Sequence, residues 1–345
     1  MVGSLSVNTK AILLLTAPLS GGAQRQGFRL VSPGEYLRLA QLLKHSRLEP
    51  ADLLGPRRTE ALSACSEVLS EPTADKLLGR GLQLSQAVER WNERSIWVVS
   101  RADAGYPQRL IERYRWRAPA VLYGCGEGAL LDSGGLAVFG PPKVDKDLSE
   151  AIREVAALAG MEGKTIVSGG GNGAGIAAME AALEEGGSAV AVLAGLLERK
   201  ALDRGWREAL MDNRLVLVSP HDPGAKPSEH DAAQTNRLIY GFSDAGLVLD
   251  ATLEKGAAWD GAIEQLEKIK TVPVYVRRPG HPAKALDALH QEGALPWPQP
   301  CDAESFRRVF DPPAGAKSVS DESEPVYRQL KFKLGKDLGD PGEER

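Results

Sequence analysis

The spacing of apolar positions changes once along the chain. After Pro33, Tyr36, Leu37, Leu39, Ala40, Leu42 and Leu43 recur at helical intervals, and Leu77, Leu78, Leu82, Leu84, Val88 and Trp91 resume the pattern after Pro72. No β-branched run interrupts this region, which predicts an all-helical domain over residues 1–95. From residue 96 short apolar runs take over: Ile96–Val99, Ala120–Tyr123, Leu136–Phe139, Thr165–Val167, Ala189–Leu193, Leu215–Val218, Leu247–Leu249 and Val272–Val276. From the third run onward most are separated by segments of helical composition, at Asp147–Ala159, Gly175–Glu185, Ala201–Met211, Ala233–Phe242 and Ala258–Ile269. Near-continuous apolar strands alternating with helices require a sheet buried on both faces. The expected fold class is therefore α/β, a doubly wound, Rossmann-like, mostly parallel sheet over residues 96–300. Residues 301–345 read as a tail, with a linker at Asp311–Glu324 and a short helix at Pro325–Leu334.

Composition narrows the function classes. With 43% hydrophobic and 26% charged residues, the 345-residue chain has the make-up of a soluble globular protein. A net charge of −4 excludes a globally basic nucleic-acid coat and leaves room for a local basic groove. Cys65, Cys125 and Cys301 are far apart, so neither a disulfide framework nor a zinc ribbon is expected. The early apolar run Ala11–Leu15 is too short to span a bilayer and has no charged leader. The expectation is a cytoplasmic protein without membrane contact. The loop His221-Asp-Pro-Gly-Ala-Lys-Pro-Ser-Glu-His-Asp has no helical ligand pair, so no metal site is expected there.

Candidate chemistry concentrates at strand ends. In Thr165-Ile-Val-Ser-Gly-Gly-Gly-Asn-Gly-Ala-Gly a strand enters a glycine-rich turn and then a helix. Ser168, Gly169, Gly170, Gly171, Asn172 and Gly173 would bring backbone N–H groups and a helix dipole to a phosphate. Glycines needed only for packing are the plainer alternative. The spacing is not the dinucleotide fingerprint, and no acidic residue closes a second strand at the required offset, so no NAD and no other cofactor is expected. A second strand end, Ala137-Val-Phe-Gly-Pro-Pro-Lys-Val-Asp-Lys, offers Gly140 with Lys143 and Lys146 to an anion. A third segment places Asn236 and Arg237 mid-helix, where the arginine either presents its planar fork to phosphate or pairs with a carboxylate. Arg109, Arg113, Arg115 and Arg117 flank Tyr114 and Trp116. This cluster reads as a helix end with packed aromatics and solvated arginines, in preference to a stacking platform.

In this order the segments resemble the DprA/Smf family of DNA-processing proteins over about residues 96–300. Arg101-Ala-Asp-Ala-Gly-Tyr-Pro-Gln-Arg-Leu and Ala118-Pro-Ala-Val-Leu-Tyr-Gly look like that family's lead-in. Val167-Ser-Gly, the stretch Ala181–Leu193, and the Asn236-Arg237 helix with Gly241, Ser243 and Ala245 continue it. The resemblance implies a protein that binds single-stranded DNA, helps load a RecA-type recombinase and forms a homodimer. With no acid–base pair placed beside the glycine loop, a non-catalytic protein is expected. It departs from the family where Pro141 and Pro142 follow Gly140 in place of Ser-Arg, where Asn172 and Gly175 replace a basic and an acidic residue, and where Met179 replaces a histidine. The glycine loop also resembles the cytokinin-activating phosphoribohydrolases, but their second signature is absent from Leu253–Glu264. A nucleotide sensor or a phosphoribohydrolase-like enzyme is the alternative.

Overall fold

In the computed structural model, residues 5–19, 29–228, 231–278 and 283–311 are described. The expected linker and helix beyond Asp311 lie outside them. The chain begins with α1 (Val7–Thr16), capped by Ser6, whose hydroxyl accepts the Thr9 N–H at 3.1 Å. The run Ala11–Leu15 is buried on every side of this helix. Pro33 opens α2 (Pro33–His45), where Ser32 and Glu35 form a reciprocal capping box. α3 (Arg58–Ala64), α4 (Glu71–Leu78) and α5 (Gly81–Asn92) follow. The apolar pattern expected to run on after Pro72 is thus split at Gly79–Arg80. A side chain at Gly79 would stand 2.8 Å from the Asp75 carbonyl, and Leu82 is left 70% exposed.

The strands are β1 (Ile96–Ser100), β2 (Val121–Gly126), β3 (Leu136–Phe139), β4 (Ile166–Gly169), β5 (Ala189–Val192), β6 (Leu215–Ser219), β7 (Ala245–Val248), β8 (Val274–Val276) and β9 (Leu295–Pro296). All eight expected runs form strands, and β9 is an addition. They make one sheet of order β1-β2-β6-β5-β4-β3-β7-β8-β9. β1, β2 and β6 pair antiparallel; every other neighbour is parallel.

The intervening helices are α6 (Gln108–Tyr114), α7 (Lys146–Met161), α8 (Ala174–Glu184), α9 (Leu197–Lys200), α10 (Arg207–Met211), α11 (Asp231–Phe242), α12 (Gly256–Glu264), α13 (Lys284–Gln291) and α14 (Ala303–Arg307). The helix expected over Ala201–Met211 is broken around Asp203, whose carboxylate caps the Gly205 N–H at 3.1 Å. α12 runs on through a π turn at Gln265–Ile269. α7, α8 and α10 cover one face of the sheet in a core shared with the N-terminal helices; α6, α11, α12 and α13 cover the other. Alternation within strands explains the uninterrupted apolar runs. Ala189 and Ala191 point to the first core, Val190 and Val192 to the second.

From β3 the chain steps outward through β4, β5 and β6, and α11 then returns it to β7 on the opposite side of β3. The strand order reverses at β3 and β7, and a crevice at such a reversal, outside the strands' C-terminal ends, is where this architecture holds ligands.

Candidate nucleic-acid interface

Two loops meet at that end of the sheet. One leaves β3 through Gly140–Pro141–Pro142–Lys143; the other leaves β4 through Gly169–Gly173. They are stitched together by the Ala174 N–H, which donates to the Pro141 carbonyl at 3.0 Å. Ser168 donates its hydroxyl to the Val138 carbonyl at 2.6 Å and is buried. Its role is to tie β4 to β3.

The glycines divide into two groups. Gly173 has φ +98°, and a Cβ there would lie 2.4 Å from the Pro141 carbonyl oxygen. Added side-chain carbons at Gly140, Gly170 and Gly175 would collide with Ala174, Leu193 and Ser168 at 2.6, 2.0 and 2.3 Å. Packing accounts for these four. It does not account for Gly169, whose Cβ would make ordinary contact with Ile239 at 3.9 Å, or for Gly171, which has nothing within 4 Å. The N–H groups of Gly171, Asn172 and Gly173 find no protein acceptor among the described residues. Three free donors thus precede the N-terminus of an eleven-residue helix, α8.

Charge around the loops is unevenly committed. Lys143 is exposed and has no ion-pair partner among the described residues, whereas Lys146 lies 3.9 Å from Glu150. Asp145 is used as the N-cap of α7, accepting from the Leu148 N–H at 2.9 Å, and Asp147 pairs with Arg277 at 2.9 Å. Neither carboxylate stands free as an acid or base beside the glycines.

The Asn236-Arg237 pair sits on α11, beneath the opposite face of the sheet. The Asn236 side-chain amide is buried and donates to the Ala257 carbonyl at 2.9 Å, anchoring the start of α12. Arg237 Nε reaches both oxygens of Glu264 on α12, at 2.9 and 3.0 Å. Its carbonyl accepts the Tyr114 hydroxyl at 2.5 Å. The structure therefore brings the Gly140–Pro142 turn against Ser168–Ala174, with Lys143 and Lys146 following on the same loop and start of α7, and places Asn236 and Arg237 in a helix–helix contact. Of the two readings left open for Arg237, the carboxylate pair is the one formed.

Near this end of the sheet one residue has no counterpart in the expectations from sequence, and another stands more exposed than expected. Arg277 follows β8, is 14% exposed, and bonds the Leu249 carbonyl at 3.1 Å as well as Asp147. Its only signal in sequence was a basic residue directly after a strand. Trp116 was assigned to the core and is 52% exposed, while Tyr114 is buried as expected. No group of three or more potential metal ligands occurs among the described residues, and no helix there is long and apolar enough to cross a membrane.

The family profile of DNA recombination-mediator protein A matches residues 97–303. The DNA processing protein DprA of Streptococcus pneumoniae is 29% identical over 176 residues, covering 50% of this chain and 61% of that protein. The one from Bacillus subtilis is 26% identical over 275 residues, 74% of this chain and 88% of its own length. The crystal structure of the Streptococcus pneumoniae protein superposes with a TM-score of 0.64 at 20% identity, over 90% of this chain and 99% of that one. That likeness supports the Rossmann-like architecture. By the extent of the profile match, the chain belongs to the DNA recombination-mediator protein A family of DNA-processing proteins.

Proposed function

We propose that the protein binds single-stranded DNA without turning it over. A backbone phosphate would sit on the Gly169–Gly173 loop, with Lys143 and Lys146 beside it. The observation that supports this most directly is Gly171: an open position with no packing reason to be glycine, at the head of three unpaired N–H donors. Asn236 serves by holding α11 against α12, and Arg237 reaches a phosphate only by exchanging Glu264. Membership of a recombination-mediator family favours delivery of the strand to a RecA-type recombinase, with a homodimer in the cytoplasm as the working form.

Gly171→Val is the deciding variant. A branched side chain there fits the fold and blocks approach to the N–H groups, so affinity for single strands should fall at least about tenfold with the melting temperature unchanged. Gly173→Val should instead impair folding, because its Cβ has no room. Unchanged binding by folded Gly171→Val would make the loop purely structural. The same free donors would also suit the phosphate of a lone nucleotide, which keeps a nucleotide sensor as the second reading. Competition by nucleoside monophosphates favours it, and sustained release of free base would establish the hydrolase form.

A further inference from the structure

Trp116 stands apart from the other tryptophans. Trp91, Trp206 and Trp297 are buried, Trp97 and Trp259 are partly covered, and Trp116 keeps 52% of its surface in water. The chain is built to hold it there. α6 ends at Tyr114, Arg115 takes a positive φ of +48° with ψ −119°, and a single 3-10 turn carries Arg115–Arg117. Arg101 fixes the turn by donating to the carbonyls of Trp116 at 2.8 Å and Ala118 at 3.4 Å. The Arg117 guanidinium lies 4.8 Å from the centre of the indole ring.

The electrostatics point the same way. Arg109 and Arg113, earlier on α6, are drawn to Asp244 at 2.6 and 3.7 Å. Arg101, Arg115 and Arg117 pair with no carboxylate among the described residues. The result is an exposed aromatic ring with three guanidinium groups near it whose charge no carboxylate neutralises. Arg101 is held by backbone carbonyls, Arg117 lies over one face of the indole, and the other face is left for a ligand. A flat π face with surrounding anions is the complement, and that describes a nucleobase within its strand.

Its position adds to the case. β2 runs antiparallel to β6 with Tyr123 opposite Ser219, so the chain just before Val121 lies beyond the C-terminal end of β6. The glycine loop lies beyond the C-terminal end of β4, three strand spacings away in the order β2-β6-β5-β4, or about 14 Å. Both features open at the same end of one sheet.

We propose that Trp116, with Arg101, Arg115 and Arg117, is a second contact for single-stranded DNA, a platform on which a base stacks while flanking phosphates meet the arginines. The assignment rests on the reading of the glycine loop as a single-strand site, and extends it toward the antiparallel edge of the sheet.

The test compares Trp116→Ala, Trp116→Phe and Arg117→Gln in the full chain, using a length series of single-stranded oligonucleotides and matched oligonucleotides containing abasic positions. Trp116→Ala should weaken binding of the longer normal strands about tenfold, with the salt dependence unchanged because the ring is uncharged. Trp116→Phe should recover most of the loss. Abasic strands should bind wild type and Trp116→Ala nearly alike. Arg117→Gln should make the slope of log affinity against log salt shallower by about 0.7. Equal affinity of Trp116→Ala and wild type for every normal strand, or an equal loss on abasic strands, overturns the platform. The Gly171→Val variant separates the two readings: if it binds normally while Trp116→Ala does not, the loop assignment fails and the platform stands. If only Gly171→Val loses binding, the reverse holds.

Discussion

Asp103 accepts hydrogen bonds from the Ser6 hydroxyl at 2.6 Å, the Thr9 hydroxyl at 2.5 Å and the Ser100 N–H at 2.7 Å, and so joins α1 to the end of β1. Burial opposes its ionisation, yet these donors together hold its carboxyl below the usual range. Asp222 has the opposite environment. It is buried beyond β6, accepts the Gly224 N–H at 3.1 Å on one oxygen, and leaves the other without a partner among the described residues. Burial raises its carboxyl above the usual value, and Glu198 adds to the rise. The two aspartates therefore contribute to stability with opposite signs. A depressed carboxyl stabilises above its unfolded value, and that contribution is lost as pH falls through the folded one; a raised carboxyl penalises the fold as pH rises from about 4. Asp103→Asn should cost about 1–2 kcal/mol at neutral pH, allowing for partial exposure, and the deficit should shrink toward pH 3. Asp222→Asn, which keeps the acceptor for Gly224, should raise stability at neutral pH and lose that advantage below about pH 4. Urea denaturation across pH measures both; parallel curves for the two variants would refute the assignment. Asp103 belongs to the Arg101–Leu110 motif legible in sequence and Ser100 is a local partner, but its two partners on α1 lie 94 and 97 residues away and leave no local trace.

At the scale of elements, sequence and structure agree where burial is periodic and part where a contact is long-range. The strands could be read because both faces of each are apolar, and α2 because Ser32, Pro33 and Glu35 spell out a helix start. The pairing of Arg237 with Glu264 could not be read, since nothing within α11 says which helix packs beside it. The same holds for Arg80. Its buried guanidinium donates to the carbonyls of Leu14 and, at 3.0 Å, Ala17, satisfying the C-terminal end of α1 across more than sixty residues of sequence. Burial lowers its pKa to about 10, which still leaves it charged at neutral pH. A cation is well placed against the negative end of a helix. Arg80→Ala should therefore destabilise the protein by roughly 2–4 kcal/mol through orphaned carbonyls, and Arg80→Lys should restore little, lacking the planar fork. Amide exchange in residues 13–17 would accelerate first. Exchange unchanged in α1 would show that its end is held otherwise.

For the whole molecule, a net charge of −4 sets the terms on which any anion is bound. Attraction must be local, so affinity should depend on salt through a few contacts only. At about 0.7 per contact, Lys143, Lys146 and Arg237 counted together would give a slope of about −2 for log affinity against log salt at the loop. The two lysines alone would give about −1.4, and each arginine near Trp116 that meets a phosphate would add about −0.7. Because Glu264 already holds Arg237, the expectation divides. Lys143→Ala should make the slope shallower by about 0.7, while Arg237→Ala should leave it nearly unchanged and loosen α11 from α12. An affinity indifferent to salt would dispose of the phosphate groove. Each of the two loops could be picked out because its glycines and lysines are contiguous in sequence, whereas their meeting through the Ala174 N–H and the Pro141 carbonyl could not. Trp116 is more exposed than expected because an aromatic at a helix end is as useful to a core as to a surface, and only the positive-φ turn at Arg115 leaves the ring in water.

The last strand of the sheet has a consequence for assembly. β9 is two residues long and ends in Pro296, which has no N–H to donate. A strand from a second chain laid against it would find scarcely one hydrogen-bond donor, so the sheet cannot be continued across that edge into a neighbour. Copies or partners that gather on this side must recognise side chains instead of backbone. Such contacts have no backbone ladder behind them and can be broken by a single substitution.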